Sequence, residues 1–491
     1  MPSVHNTPGP APAHPPDSGA CPGTLDPPAN LRQAISHIGP GLILAGAIVG
    51  TGELIATTNL GARAGFTLLW LVVLSCIIKV FVQIELGRYA ISSGEATFTA
   101  FRRLPGPGIA LVWWCSLMIL LTQFQIGAMI GGVGQALHVL FPGTASRVAA
   151  LLQPIQPALA ALLADRPELP WCVLVTLATI ALLATGSYLI VERGTTFLVV
   201  LFTLMTVGCV AFLPAEHAVK LANLAEGFRF RLPREHMLAA FTMFGITGVG
   251  ASELLAYPYW CIEKGYARHV GPSEPSSAWT RRARGWLRVL RLDAWVSMVL
   301  YLISTLAFFV LGAAVLHRET AGLGLPNAIG PVLDQLAGMY RPVLGSRLAQ
   351  WFIVIGAFAV LYSTLFAATA GNSRLLADAA RTAHLVPAHD PVRFRNAVRW
   401  GCILLPLISF ALFVVFKDPV GMVTVGGIMQ AISLPLIAAG AVFLRYFRTD
   451  ARIRPGRLWD LGLWLSLAGL CLAAAQSLLK GWDELTRLFS R

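Results

Sequence analysis

The sequence predicts an all-α, multi-span membrane protein of about eleven transmembrane helices, and three observations predict it. Of 491 residues, 56% are hydrophobic and 12% charged, about half the charged share of an ordinary soluble domain, and the mean hydropathy is +0.68. Eleven apolar stretches are long enough for a bilayer, which asks for about 20 residues per helix. An eight-residue pattern in the first stretch returns in the sixth. So much apolar surface cannot be hidden in a water-soluble core, which excludes disorder, a disulfide scaffold and a cytosolic enzyme as whole-chain readings. Strand-type alternation is absent, and a β-barrel is excluded with it.

Residues 1–30 carry nine prolines and no apolar run. We read 1–35 as a disordered, Pro-rich cytoplasmic tail and not a signal peptide, because the apolar core of such a peptide is missing. The transmembrane unit covers 36–480, with a short tail at 481–491. Its apolar stretches run 41–61, 66–87, 109–140, 171–190, 195–213, 237–260, 293–316, 348–370, 398–416, 420–444 and 458–479. A net charge of +13 resembles that of a nucleic-acid binder until the basic residues are located. They lie in the connections between apolar stretches, so the charge belongs to orientation at a membrane, and no nucleic-acid partner is expected. The most basic connections, 264–291 and 445–457, fall on one side, which places the N-terminus in the cytoplasm. The eight cysteines are scattered without a Cys-x-x-Cys pair and read as space-filling buried thiols.

Val49-Gly50-Thr51-Gly52-Glu53-Leu54-Ile55-Ala56 is echoed 200 positions later by Val249-Gly250-Ala251-Ser252-Glu253-Leu254-Leu255-Ala256, with five of eight residues identical. Five spans separate the copies, and an odd number inverts the second half relative to the first, the organisation of inverted-repeat transporters. The five-helix halves run about 36–215 and 235–445, and the helix at about 458–479 stands outside them. Small residues at 50, 52, 250 and 252 weaken the helix where a Glu enters apolar surroundings, so the first and sixth helices are predicted to be broken. A carboxylate at mid-membrane costs about 3 kcal/mol or more unless it faces a partner, a cavity or an ion. Unwound backbone is tolerated there only where it lines such a cavity. Glu53 and Glu253, with the freed carbonyls of Gly50 and Gly250 and the Ser252 hydroxyl, would make a cation site of hard oxygen donors. On the other reading, each glutamate bonds a neighbouring helix end, locks the fold and touches no cargo. Thr51 and Gln125 are candidates for lining the pathway.

Gly39-Pro40-Gly41, the break that follows, and Gly61…Gly65-Phe66-Thr67-Leu68-Leu69-Trp70 resemble the Nramp (natural resistance-associated macrophage protein) family of divalent-metal transporters. Gln83-Ile84-Glu85-Leu86-Gly87-Arg88 is similar to its second span, Ala370-Gly371-Asn372-Ser373 to its eighth and Leu434-Pro435 to its tenth. The resemblance covers most of 36–445 and is strongest over the first two spans. It implies a leucine-transporter-type fold and secondary transport of divalent cations across the plasma membrane, with the metal as cargo and no cofactor. Where the family has Asp-Pro-Gly-Asn, this chain reads Gly50-Thr51-Gly52-Glu53. The family's Met-Pro-His falls near Ser252-Glu253-Leu254, and its third-span acids align with Gln125 and Ala128. Gly427 stands where the family has a tenth-span Gln, with Gln430 one turn further along the same pathway.

Exchanging a thioether for hydroxyl and carboxylate favours magnesium or manganese over softer metals. Losing the histidine and the third-span acids removes the groups that would relay protons. The expectation is a carrier for a hard divalent cation with weak or no proton coupling. A same-fold carrier of an amino acid or amine, and a non-transporting receptor or scaffold, are the alternatives. Lys79 is expected to snorkel or to pair with a carboxylate on another span, Glu85 and Arg88 to form a local ion pair, and Asn372 to end the eighth helix. No GxxxxGK[ST], HExxH or GxSxG pattern occurs, so no enzyme is expected, and no obligate protein partner is evident.

Overall fold

The computed structural model describes residues 23–48, 50, 52–106, 108–185, 188–325, 329–387, 390–416 and 418–489. Every regular element among them is helical. The first span comprises Pro40–Ile48 and Thr58–Ala64, joined by a widened turn at Gly52–Thr57. A tight turn at Gly65–Leu68, made by Gly65 at φ +57°, feeds directly into the second span, Leu69–Ser93. The third span is Gly108–Leu140, and the fourth and fifth are the shorter Leu169–Thr185 and Tyr188–Ala211. The sixth comprises Met237–Ile246 and Ala251–Glu263. Five more follow: Ser277–Leu311, Arg341–Thr382, Pro391–Val415, Pro419–Phe443 and Arg457–Phe489. The spans number eleven among the described residues, as the apolar stretches predict. Several outrun those stretches, because polar helix ends continue past the bilayer core.

The two broken helices lie antiparallel. Pro40–Ile48 packs on Ala251–Glu263, while Gly52–Thr57 and Thr58–Ala64 pack on Met237–Ile246, the pairing an inverted repeat requires. Close approaches fix this frame. A Cβ on Gly245 would stand 2.1 Å from the Gly427 carbonyl oxygen, so the first half of the sixth span meets the tenth backbone to backbone. A Cβ on Gly41 would stand 2.7 Å from Asp293 Oδ2. Asp293, on the seventh span, accepts the Gly39 N–H at 2.8 Å and the Gly41 N–H at 2.7 Å. Its carboxylate thus takes N–H groups that the start of a helix leaves without partners.

The tail boundary drawn at residue 35 is corrected. Leu31–His37 is a helix capped by the Asn30 side chain, which accepts from Gln33 N–H. The Leu25 N–H donates to His269, and the Leu25 carbonyl accepts from Trp286 Nε1. These bonds tie residues 25–37 to the 264–291 connection, where the His269 imidazole is held below its ordinary pKa by burial and by the neighbouring Arg268.

Candidate functional site

The break in the sixth span turns on Gly248, at φ +67°, a left-handed conformation that favours glycine. Glu53, 0% exposed, reaches this break from the first span. Its Oε1 accepts from Gly248 N–H at 3.1 Å and from the Thr305 hydroxyl at 3.3 Å, and its Oε2 has no partner. Lys79 reaches the same break from the second span, also 0% exposed. Its ammonium donates to the Phe244 carbonyl at 2.5 Å and the Thr247 carbonyl at 2.8 Å. The expected snorkelling does not occur, because these buried carbonyls offer the charge better solvation than the distant interface.

Glu253 belongs to a different set. Its Oε2 accepts from the Ser252 hydroxyl at 2.9 Å, and it lines a small cleft with Leu44, Trp260, Gly371 and Asn372. The carboxylate folds over Gly250, where a Cβ would lie 2.4 Å from Glu253 Oε2 and 2.5 Å from Gln430 Oε1. Gln430 Oε1 accepts from both the N–H and the hydroxyl of Ser252 at 3.4 Å, and its Nε2 donates to Gln125 Oε1 at 3.0 Å. Carboxylate, hydroxyl and two amides therefore converge at the start of Ala251–Glu263. The helix N-terminus adds a partial positive charge, and the negative charge comes from Glu253.

The structure brings together Ser252, Glu253, Gly250, Gln430 and Gln125. It gives Glu53 and Glu253 no shared hydrogen-bond partner, although the charge of Lys79 reaches both. The free carbonyls expected at Gly50 and Gly250 are corrected: each accepts a helical bond at 2.9 Å, from Leu54 and Leu254 respectively. Both glycines stand where the second half-helix begins, so their carbonyls open that half-helix instead of hanging free. Gly50 is packed on Thr364, whose Oγ1 would lie 2.3 Å from an added Cβ. Thr51 lies outside the described residues. Asn372 is corrected too: its helix runs on to Thr382, and Asn372 faces the cleft. Glu85 and Arg88 do pair, at 3.0 Å, and Trp459 Nε1 also donates to Glu85. Among the described residues no group of three His, Cys, Asp or Glu side chains is placed to hold a metal.

Sequence reasoning missed Asp293 and Asp378. Asp378, on the eighth span, accepts from the Thr99 N–H and hydroxyl, the Tyr259 hydroxyl and Arg381. The signal was available in both cases: an acid inside an apolar helix requires a partner.

The chain matches the family described as natural resistance-associated macrophage protein-like (Nramp) over residues 41–482. It belongs to the Nramp family. Among its relatives, a protein of Pasteurella multocida described as uncharacterized is 25% identical over 454 residues, 91% of this chain and 92% of the other. The divalent metal cation transporter MntH of Staphylococcus aureus is 27% identical over 113 residues, 23% of this chain and 25% of that protein. The manganese transporter of Eremococcus coleocola has the same fold, with a TM-score of 0.61 at 14% identity, covering 95% of this chain and 91% of the other.

Proposed function

We propose that this Nramp-family chain is a secondary carrier moving a divalent metal cation by alternating access, with a preference for hard ions such as magnesium or manganese. The observation that carries this reading is an oxygen set joined at the Ser252 hydroxyl, which lies within hydrogen-bond reach of both Glu253 Oε2 and Gln430 Oε1, with Ser252 and Glu253 lining the cleft. Carboxylate, hydroxyl and amide oxygens suit a hard cation, whereas a soft one would want thiolate or thioether. Relatives described as manganese and divalent metal cation transporters support the metal assignment.

On this reading Glu53, with Gly50 nearby in the first span, holds the break of the sixth span and does not touch the cargo. The cleft carries no histidine among its lining residues, which fits weak or no proton coupling. The membrane on this reading is the plasma membrane, and the basic connections 264–291 and 445–457 favour a cytoplasmic N-terminus with the Glu253 cleft on the cytoplasmic side.

Flux into proteoliposomes tests the proposal, using magnesium, manganese, calcium and cadmium with wild type and Glu253→Gln. Magnesium or manganese flux lost in the variant is expected. A preference for cadmium would overturn the hard-ion argument, unchanged flux in the variant would remove the site, and acidification tracking the metal would overturn the uncoupled reading. Uptake of an amine with no metal flux would favour an organic-solute carrier.

A further inference from the structure

Two charged side chains of opposite sign divide one missing helical hydrogen bond between them. In an unbroken sixth helix the Gly248 N–H would donate to the Phe244 carbonyl. Here the Gly248 N–H goes to the Glu53 carboxylate and the Phe244 carbonyl to the Lys79 ammonium. Lys79 also takes the Thr247 carbonyl and lies 5.1 Å from the centre of the Phe244 ring. The Ser75 hydroxyl, one turn away on the second span, bonds the same two carbonyls at 3.4 Å. These carbonyls end Met237–Ile246, where the helix dipole presents its negative pole. Glu53 adds a carboxylate oxygen that is buried and unpartnered. Carbonyls at a helix end, a hydroxyl and an aromatic face together make a cation's coordination shell, and the Glu53 carboxylate at the same break adds negative charge nearby.

We propose that Lys79 is a tethered cation filling a monovalent-cation site at the broken sixth helix, and that shortening its side chain opens the site to sodium or a small alkylammonium. The native protein then holds the break in shape with no dissociable ion there. The proposal does not depend on which cargo the carrier moves, since its readout is stability and not flux.

The test compares thermal midpoints of the full-length protein in detergent, in N-methylglucamine buffer and with added sodium or methylammonium. Wild type is expected to be unmoved by either ion. Lys79→Ala is expected to lose about 5 °C or more and to regain at least half of the loss, saturably, on addition of sodium or methylammonium. Lys79→Met, which fills the space without charge, is expected to lose stability and regain none, and Glu53→Gln combined with Lys79→Ala should abolish the recovery. No recovery in Lys79→Ala, equal recovery in Lys79→Met, or equal stabilisation of wild type would each overturn the proposal. Should Lys79→Ala fail to fold, Lys79→Gln decides the matter, since it keeps N–H donors without charge. A wild-type midpoint in that variant overturns the proposal, and a loss of about 5 °C or more sustains it.

Discussion

Glu53 and Glu253 occupy equivalent places in the two halves, each three residues after a glycine whose carbonyl accepts the same helical bond from the following leucine. Their surroundings are opposite. Glu53 is sealed in, held by a backbone N–H and a threonine from two other spans. Glu253 turns to its neighbour Ser252 and to a cleft. Similar local sequence thus sets where a carboxylate starts, and the partner helices set what it does. The first span's glutamate meets the break of the sixth, whereas the sixth span's glutamate meets its neighbour Ser252 and a cleft between Pro40–Ile48 and the eighth span.

Substitutions that treat the two halves alike should therefore give unlike results. The largest difference is expected between Glu253→Gln, which should lower metal flux about tenfold or more, and Glu53→Gln, which should leave the half-saturating metal concentration within about twofold. Radiotracer flux measures both, and equal losses would erase the distinction. Next come the glycines. Gly250→Ala pushes a methyl into Glu253 and Gln430 and should reduce metal affinity with a near-native thermal midpoint. Gly50→Ala collides with Thr364 and should cost about 1–3 kcal/mol of stability, read from thermal melts.

Glu53→Gln should itself cost about 1–3 kcal/mol, because it replaces charge-assisted bonds from Gly248 N–H and Thr305 with neutral ones and puts an amide NH2 where Oε2 has no partner. An unchanged melt would show that Glu53 does not hold the break. The smallest effect lies outside both repeats, in the connection to the last helix, where Arg452 holds the Asp450 carboxyl below its ordinary pKa through a 2.7 Å ion pair. That contribution is full above the unfolded carboxyl value of about 3.9 and is lost as pH falls through the lower folded value. Asp450→Asn should therefore lower stability slightly at neutral pH and leave it unchanged well below the folded carboxyl value, flattening the acid limb of a stability–pH curve, and an equal loss at both ends would contradict this.

Much of this was legible in the sequence. The apolar stretches and the echo predict eleven spans, an inverted repeat and two breaks, because hydropathy and glycine placement act locally. The cluster of Ser252, Glu253, Gln430 and Gln125 was legible as separate candidates, but not as a cluster. Their meeting depends on how the third, sixth and tenth spans pack, which no local rule supplies. Lys79, read as snorkelling or pairing with a carboxylate on another span, goes instead to backbone carbonyls for a related reason: another helix breaks beside it and supplies them. Asp293 carried a local signal as an acid inside an apolar helix, but its partners Gly39 and Gly41 lie some 250 residues away and no local rule names them.

The contact of Gly245 with the Gly427 carbonyl has one more consequence. Nothing larger than a hydrogen atom fits at that crossing, so any side chain there would force the two rods apart. Gln430 stands about one turn along the tenth span from the crossing, while Ser252 belongs to the other piece of the severed helix. A side chain at position 245 would therefore stretch the 3.4 Å spacing between them, and with it the grip on whatever sits there.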